Sequence, residues 1–97
     1  HRAGLSAISD RGVRFSDHDA VVEALARQAP LWAPGSAHGY SPRVVGYLLE
    51  EICRRVSGMT LADYWRTTFA EPMGLEFWMG LPESEHSRVA TMLPPRL

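Results

Sequence analysis

Apolar residues recur at helical spacing in three stretches of this chain, and prolines and glycines separate those stretches. The longest follows Pro42. There Val45, Leu48, Leu49, Ile52 and Val56 fall at i, i+3, i+4, i+7 and i+11, the spacing of a single apolar stripe along an α-helix. Glu50 with Arg54, and Glu51 with Arg55, add acid-first pairs one helical turn apart. Gly58 is placed to close the helix in a left-handed cap. This stripe is expected to be the main core contribution of the chain.

A shorter helix is expected to start at Ser16, with Asp19 three residues on as a capping-box-like partner. Val22, Leu25, Ala26 and Ala29 would share its apolar face. Pro30 ends it, because proline disfavours the α conformation in the residue before it. A third helix is expected from Thr60 as N-cap, with Leu61, Tyr64, Trp65 and Phe69 as its apolar side and Pro72 as its stop. Glu76 to Leu81 holds Phe77, Trp78 and Met79 and reads as either an extended segment or a core plug. Pro82 to His86 reads as one helical turn, and His1 to Arg14 as loop. No pair of alternating runs makes a strand hairpin. The predicted fold class is mainly α.

Between the first two helices lies Trp32 to Pro42, the stretch the rest of the chain is organised around. Pro34-Gly35 reads as a β-turn, proline setting one φ and glycine supplying a positive one. Ser41 is a good N-cap and Pro42 a good first helical residue. Tyr40 would then sit beside the positive end of a helix dipole, where a phenolate is electrostatically favoured.

Composition narrows the picture. The 97 residues, 45% of them hydrophobic, fit one small domain. Ten basic and eleven acidic residues are interspersed, with a net charge of -1, so neither nucleic acid nor a membrane is expected as a partner. No apolar run approaches the roughly 20 residues that span a bilayer. A single cysteine, Cys53, cannot form an internal disulfide, and nothing in it calls for an oxidising compartment. The chain starts without methionine and stops at Pro94-Pro95-Arg96-Leu97, which reads as a segment of a longer protein.

Candidate chemistry is sparse. His1, His18, His38 and His86 are dispersed, and no HExxH or CxxC spacing occurs, so no metal or other cofactor is expected. No serine sits in Gly-x-Ser-x-Gly or Ser-x-x-Lys, and all ten basic residues are arginines. A serine–lysine nucleophile therefore cannot be assembled from these 97 residues alone. Cys53 borders the apolar stripe and reads as a buried, inert thiol. Trp32, Tyr64, Trp65, Phe69, Phe77 and Trp78 read as core rather than as a ligand cage. Composition leaves Tyr40 open between a packed residue and a catalytic one.

From Pro30 to Leu81 the chain resembles the serine β-lactamase and penicillin-binding-protein superfamily, in the class C-like branch that includes β-lactamase-fold carboxylesterases. The resemblance rests on Pro30-Leu31-Trp32-x-Pro34-Gly35, Tyr40-Ser41, Gly46-Tyr47-Leu48-Leu49-x-x-Ile52, Val56-Ser57-Gly58 and Glu71-Pro72-Met73-Gly74-Leu75. His1-Arg2-Ala3-Gly4-Leu5 is similar to the stretch that follows the nucleophile helix in that family. The resemblance implies an α/β domain beside an all-helical one, residues 1–97 being part of the helical region without its sheet. It implies that Tyr40, the tyrosine of a Tyr-x-Asn motif, acts as general base with the lysine of Ser-x-x-Lys to activate the serine. That serine and lysine would lie upstream of His1, and the third motif downstream of Leu97. The asparagine position is Pro42, a departure that leans towards ester rather than lactam substrates. The implied function is a carboxylesterase acting through an acyl-serine. The alternatives are a non-catalytic helical binding module, a β-lactamase, or a D-alanyl-D-alanine carboxypeptidase. The implied partners are a small ester or lactam and the rest of the parent chain.

Overall fold

Asp17, one residue beyond the expected Ser16, caps the first helix, its Oδ1 accepting the N–H of Ala20 at 3.0 Å. The computed structural model of the chain describes residues 1–95. Arg96 and Leu97, the end of the expected 1–97 helical region, lie outside the described residues. Helix α1 spans His18–Arg27 and ends where the Gln28 N–H bonds the Ala24 carbonyl at 3.1 Å. Helix α2 spans Val45–Ser57. Gly58 closes it at φ 74, its N–H on the Arg54 carbonyl at 2.9 Å, as its position in the sequence implies.

Both apolar faces are rotated by one residue from the expected ones. In α1 the buried residues are Val21, Ala24 and Leu25, while Ala26 and Ala29 are exposed and Val22 is half-buried. In α2 the face towards α1 carries Tyr47, Leu48 and Glu51, continuing a row that starts at Val44. Val21, Leu25 and Val44 form the core, with Leu5, Ile8, Val13, Tyr47 and Leu48 packed on it. The expected stripe of Val45, Leu48, Leu49, Ile52 and Val56 is therefore not the core. Only Leu48 joins it, and Leu49, Ile52 and Val56 are 51%, 59% and 84% exposed.

The physical reason is a degeneracy in the pattern. Val21-Val22, Val44-Val45 and Leu48-Leu49 are adjacent apolar pairs, so two helical rows one residue apart fit the same spacing. Contacts with loop residues Leu5, Ile8 and Val13 select one row of each pair.

Glu51 occupies the chosen row and is 6% exposed. It keeps its charge through Arg54, which binds it in fork geometry at 2.8 and 3.0 Å, and through Arg55 Nε at 2.5 Å. Those hydrogen bonds, Arg55 first and Arg54 second, hold its carboxyl below the ordinary carboxylate value. Glu50 does not pair Arg54 as expected. Its Oε2 accepts the Leu61 N–H at 3.2 Å instead.

The chain divides into two compact units, His1–Leu61 and Ala62–Leu97. From Ala62 on, the second is built on a continuous helical run whose first residue, Leu61, closes the first unit: α3 (Leu61–Trp65), a π-helical turn (Arg66–Ala70) and α4 (Glu71–Met73). Pro72 does not stop the helix, contrary to the sequence expectation. The Glu71 N–H bonds the Arg66 carbonyl five residues back, so the pairing has already shifted register where proline's missing N–H falls. Gly74 ends the run at φ 63. Trp65 stacks on Phe69 at 5.4 Å, meets Phe77 edge-on at 5.4 Å and donates its indole N–H to the Phe77 carbonyl at 3.0 Å. Phe77 to Met79 is thus irregular chain laid against the helix. Residues Glu83–Arg88 form the expected turn as a 3₁₀ helix. There Arg88 binds Glu76 and Glu85, each at 2.7 Å, and lies over the Trp78 ring. The aromatic residues do not make one core, since Tyr64, Phe69 and Phe77 remain exposed. Among the described residues there is no β-strand.

Candidate active site

The loop that carries Tyr40 is held by the first residues of the chain. Segment 1–4 runs beside 31–39 and accepts three of its backbone N–H groups. Leu31 bonds Gly4 at 2.8 Å, Gly35 bonds Arg2 at 2.9 Å, and Gly39 bonds His1 at 3.0 Å. The Arg2 guanidinium also donates to the Gly35 carbonyl. Within the loop the Ser36 N–H closes on Ala33 at 2.9 Å, and Gly35 has φ 88, which makes the expected Pro34-Gly35 turn a type II turn.

Two glycines let these segments approach. Gly4 has φ 79, and a Cβ there would fall 2.7 Å from the Trp32 carbonyl oxygen. At Gly39 a Cβ would fall 2.3 Å from Cη2 of Trp32, so the indole lies directly on the backbone beside Tyr40.

His1 then fixes the other side of the tyrosine. Its Nδ1 lies 3.1 Å from the backbone nitrogen of Ser41 and 2.8 Å from Ser41 Oγ. Tyr40 is therefore flanked by two peptide N–H groups, of Gly39 and Ser41, that both end on His1: one on its carbonyl, one on its ring. The Tyr40 ring rests on the His1 imidazole with centroids 5.1 Å apart and is 71% exposed. The Tyr40 hydroxyl is thus presented outward from a backbone held on both sides.

Two local expectations are corrected. Ser41 is buried, but its hydroxyl is engaged by His1 and does not cap the helix. The helix starts at Val45, with Val44 as an N-cap that makes no side-chain bond, so Pro42 lies in the turn before it. The Ser41 carbonyl still accepts the Val45 N–H at 3.2 Å, which ties the tyrosine loop to α2. His38, the histidine nearest Tyr40 in sequence, has its ring 6.0 Å from that of His1. His1 is the residue that reading by proximity misses, because its partner lies 40 positions away.

Elsewhere the second unit holds an open cleft of about 400 Å³, lined by Trp65, Phe77 and Trp78 among others. Its one cation, Arg66, is paired with Glu71 at 2.7 Å and Asp63 at 3.1 Å. Cys53 is half-buried, its sulfur 3.6 Å from Ser57 Oγ. Among the described residues no three His, Cys, Asp or Glu side chains cluster as metal ligands, and no helix is long and apolar enough to cross a membrane.

Comparison with known proteins shows the family. The beta-lactamase family model matches residues 1–96, and the chain belongs to that family. Among solved structures it is similar to a novel penicillin-binding protein homolog from Caulobacter crescentus, at 46% identity with a TM-score of 0.87. That match covers 100% of this chain and 27% of the homolog, so the chain spans about a quarter of its length. No curated protein matches. The helical character of residues 1–95 agrees with the helical part of a β-lactamase-like fold.

Proposed function

We propose that the chain is the helical region, residues 1–97, of a β-lactamase-fold serine hydrolase, a carboxylesterase for short-chain esters, with Tyr40 as its general base. The observation that supports this is the double tether of Tyr40. Its backbone is pinned on both sides while its ring faces outward. On this reading the Tyr40 phenolate takes the proton of a serine hydroxyl as that oxygen attacks the ester carbonyl. The proton passes to the departing alkoxide, and water then cleaves the acyl-serine. The serine and its partner lysine come from the rest of the parent chain. The partners are a small ester and that remainder, with no nucleic acid, membrane or cofactor involved.

Pro42 supports ester over lactam. An amide has a poor leaving group and depends on a firmly held acyl side chain. Proline offers no side-chain amide and no N–H at the position where the family motif has asparagine. The neighbour's description as a penicillin-binding protein homolog is the observation that favours the second reading, an enzyme acting on β-lactams or D-alanyl peptides. Comparing kcat/KM for a p-nitrophenyl short-chain ester and a chromogenic cephalosporin, on the full-length protein, separates the two. The ester value should exceed the lactam value by about 10²-fold. A lactam value equal to or above the ester value rejects the esterase.

A further inference from the structure

We infer that His1 is a positioning residue for Tyr40, and that it works only as the neutral imidazole protonated on Nε2. This rests on the reading of Tyr40 as general base.

The tautomer follows from the donors around the ring. The Ser41 backbone N–H can only donate, and it points at His1 Nδ1 from 3.1 Å. Nδ1 must therefore present its lone pair, and the neutral ring carries its proton on Nε2. The Ser41 hydroxyl, 2.8 Å from the same atom, then donates as well. An imidazolium has N–H groups at both nitrogens. It would set one N–H against another at Ser41 and break that tether.

The side chains that join His1 and Ser41 around this N–H are apolar and offer it no acceptor. The small cleft around it is lined by Ala3, Leu5, Val45 and Leu48 besides His1, Gly39 and Ser41. The titratable groups whose rings face it are His38 at 6.0 Å and Tyr40 at 5.1 Å between centroids. Neither ring offers a carboxylate that would stabilise the imidazolium. Protonating His1 takes the acceptor from the Ser41 backbone N–H and leaves that side held only through the rotatable Ser41 hydroxyl, while the Gly39 side, held by a backbone carbonyl, persists. The phenol can then swing about its remaining tether. The geometry thus couples the aim of the base to the protonation state of a histidine ring.

Two substitutions in the full-length protein separate the hydrogen bond from the ring. His1→Phe keeps an aromatic ring against Tyr40 and removes the acceptor. His1→Asn places Oδ1 where Nδ1 stands, and it does not titrate. His1→Phe should lower kcat by about 10- to 100-fold with little change in KM, the effect of a misaimed catalytic group. His1→Asn should recover most of the parental kcat at neutral pH. It should also retain that activity to about pH 5, where the parent falls away with histidine protonation. A parental kcat in His1→Phe, or an acid limb in His1→Asn that matches the parent's, would overturn the inference. The imidazole ¹⁵N shifts of His1 in the parent test it without any hydrolysis. An unprotonated, pyridine-like Nδ1 at neutral pH supports it, and a protonated Nδ1 overturns it. Absence of ester and lactam turnover would count against the proposed function alone, leaving those shifts to decide the role of His1.

Discussion

His1 Nδ1 and the backbone nitrogen of Ser41 stand 3.1 Å apart across 40 positions of sequence. With the Gly39 N–H on the His1 carbonyl, this contact makes one residue the anchor for both peptides around Tyr40. Loops ordinarily carry functional side chains on a mobile backbone. Here the catalytic candidate sits on a loop tied down by backbone hydrogen bonds and by the Trp32 indole.

The close approach of Trp32 to Gly39 predicts a steric penalty. In Gly39→Ala the new methyl must displace an indole atom that would lie 2.3 Å away. The substitution should cost ~1–3 kcal/mol, as overpacking does, and should lower hydrolysis by disturbing the peptide next to Tyr40. Thermal unfolding and ester turnover of the same variant check both. An unchanged Tm would show that Trp32 moves aside freely.

The core assignment gives a paired prediction. Leu25 is fully buried between Val21 and Val44, so Leu25→Ala should cost ~2–5 kcal/mol in the 97-residue chain. Leu49→Ala, on the exposed face of α2, should cost under ~1 kcal/mol in the same chain. Urea unfolding measures the two side by side. Similar costs would mean that α2 is turned the other way.

Glu51 makes stability depend on acid. Its carboxyl titrates below 4.5 in the folded chain because Arg55 and Arg54 hydrogen-bond the charged form. A depressed carboxylate contributes stability that is present above its unfolded value and lost as pH falls through its folded value. The parent should therefore exceed Glu51→Gln in urea midpoint at neutral pH, and the gap should narrow as pH drops below 4.5. A gap that stays constant through that range would assign Glu51 a packing role only.

Much of this architecture is legible in the sequence, and the misses share a cause. Helices around residues 18–27 and 45–57, the Gly58 cap and the Pro34-Gly35 turn follow from local spacing and from residues with few allowed conformations. Which face is buried does not follow, because adjacent apolar pairs let two registers fit, and in α2 the tertiary partners choose the less apolar one, with Glu51 where the other row has Ile52. Pro72 is tolerated for a reason no local rule anticipates, a π turn that shifts hydrogen-bond register just before it. Tyr40 is legible as a candidate through the family resemblance, since its place between a glycine-rich turn and a helix leaves a packed role equally open. The role of His1 is not, since nothing in a linear pattern marks a contact made by chain reversal. Ser41 shows the same limit. It looks like a cap, but its hydroxyl is taken by a partner from the far end of the unit.

The central claim, that Tyr40 moves the proton, is tested most directly by Tyr40→Phe in the full-length protein, assayed with a short-chain p-nitrophenyl ester. The substitution keeps the ring that rests on His1 and deletes only the hydroxyl, so the fold should persist with an unchanged Tm. Loss of a general base predicts a fall in kcat/KM of ~10²–10⁴-fold. A variant that folds normally and hydrolyses the ester at the parental rate would show that Tyr40 only packs, and would contradict the account.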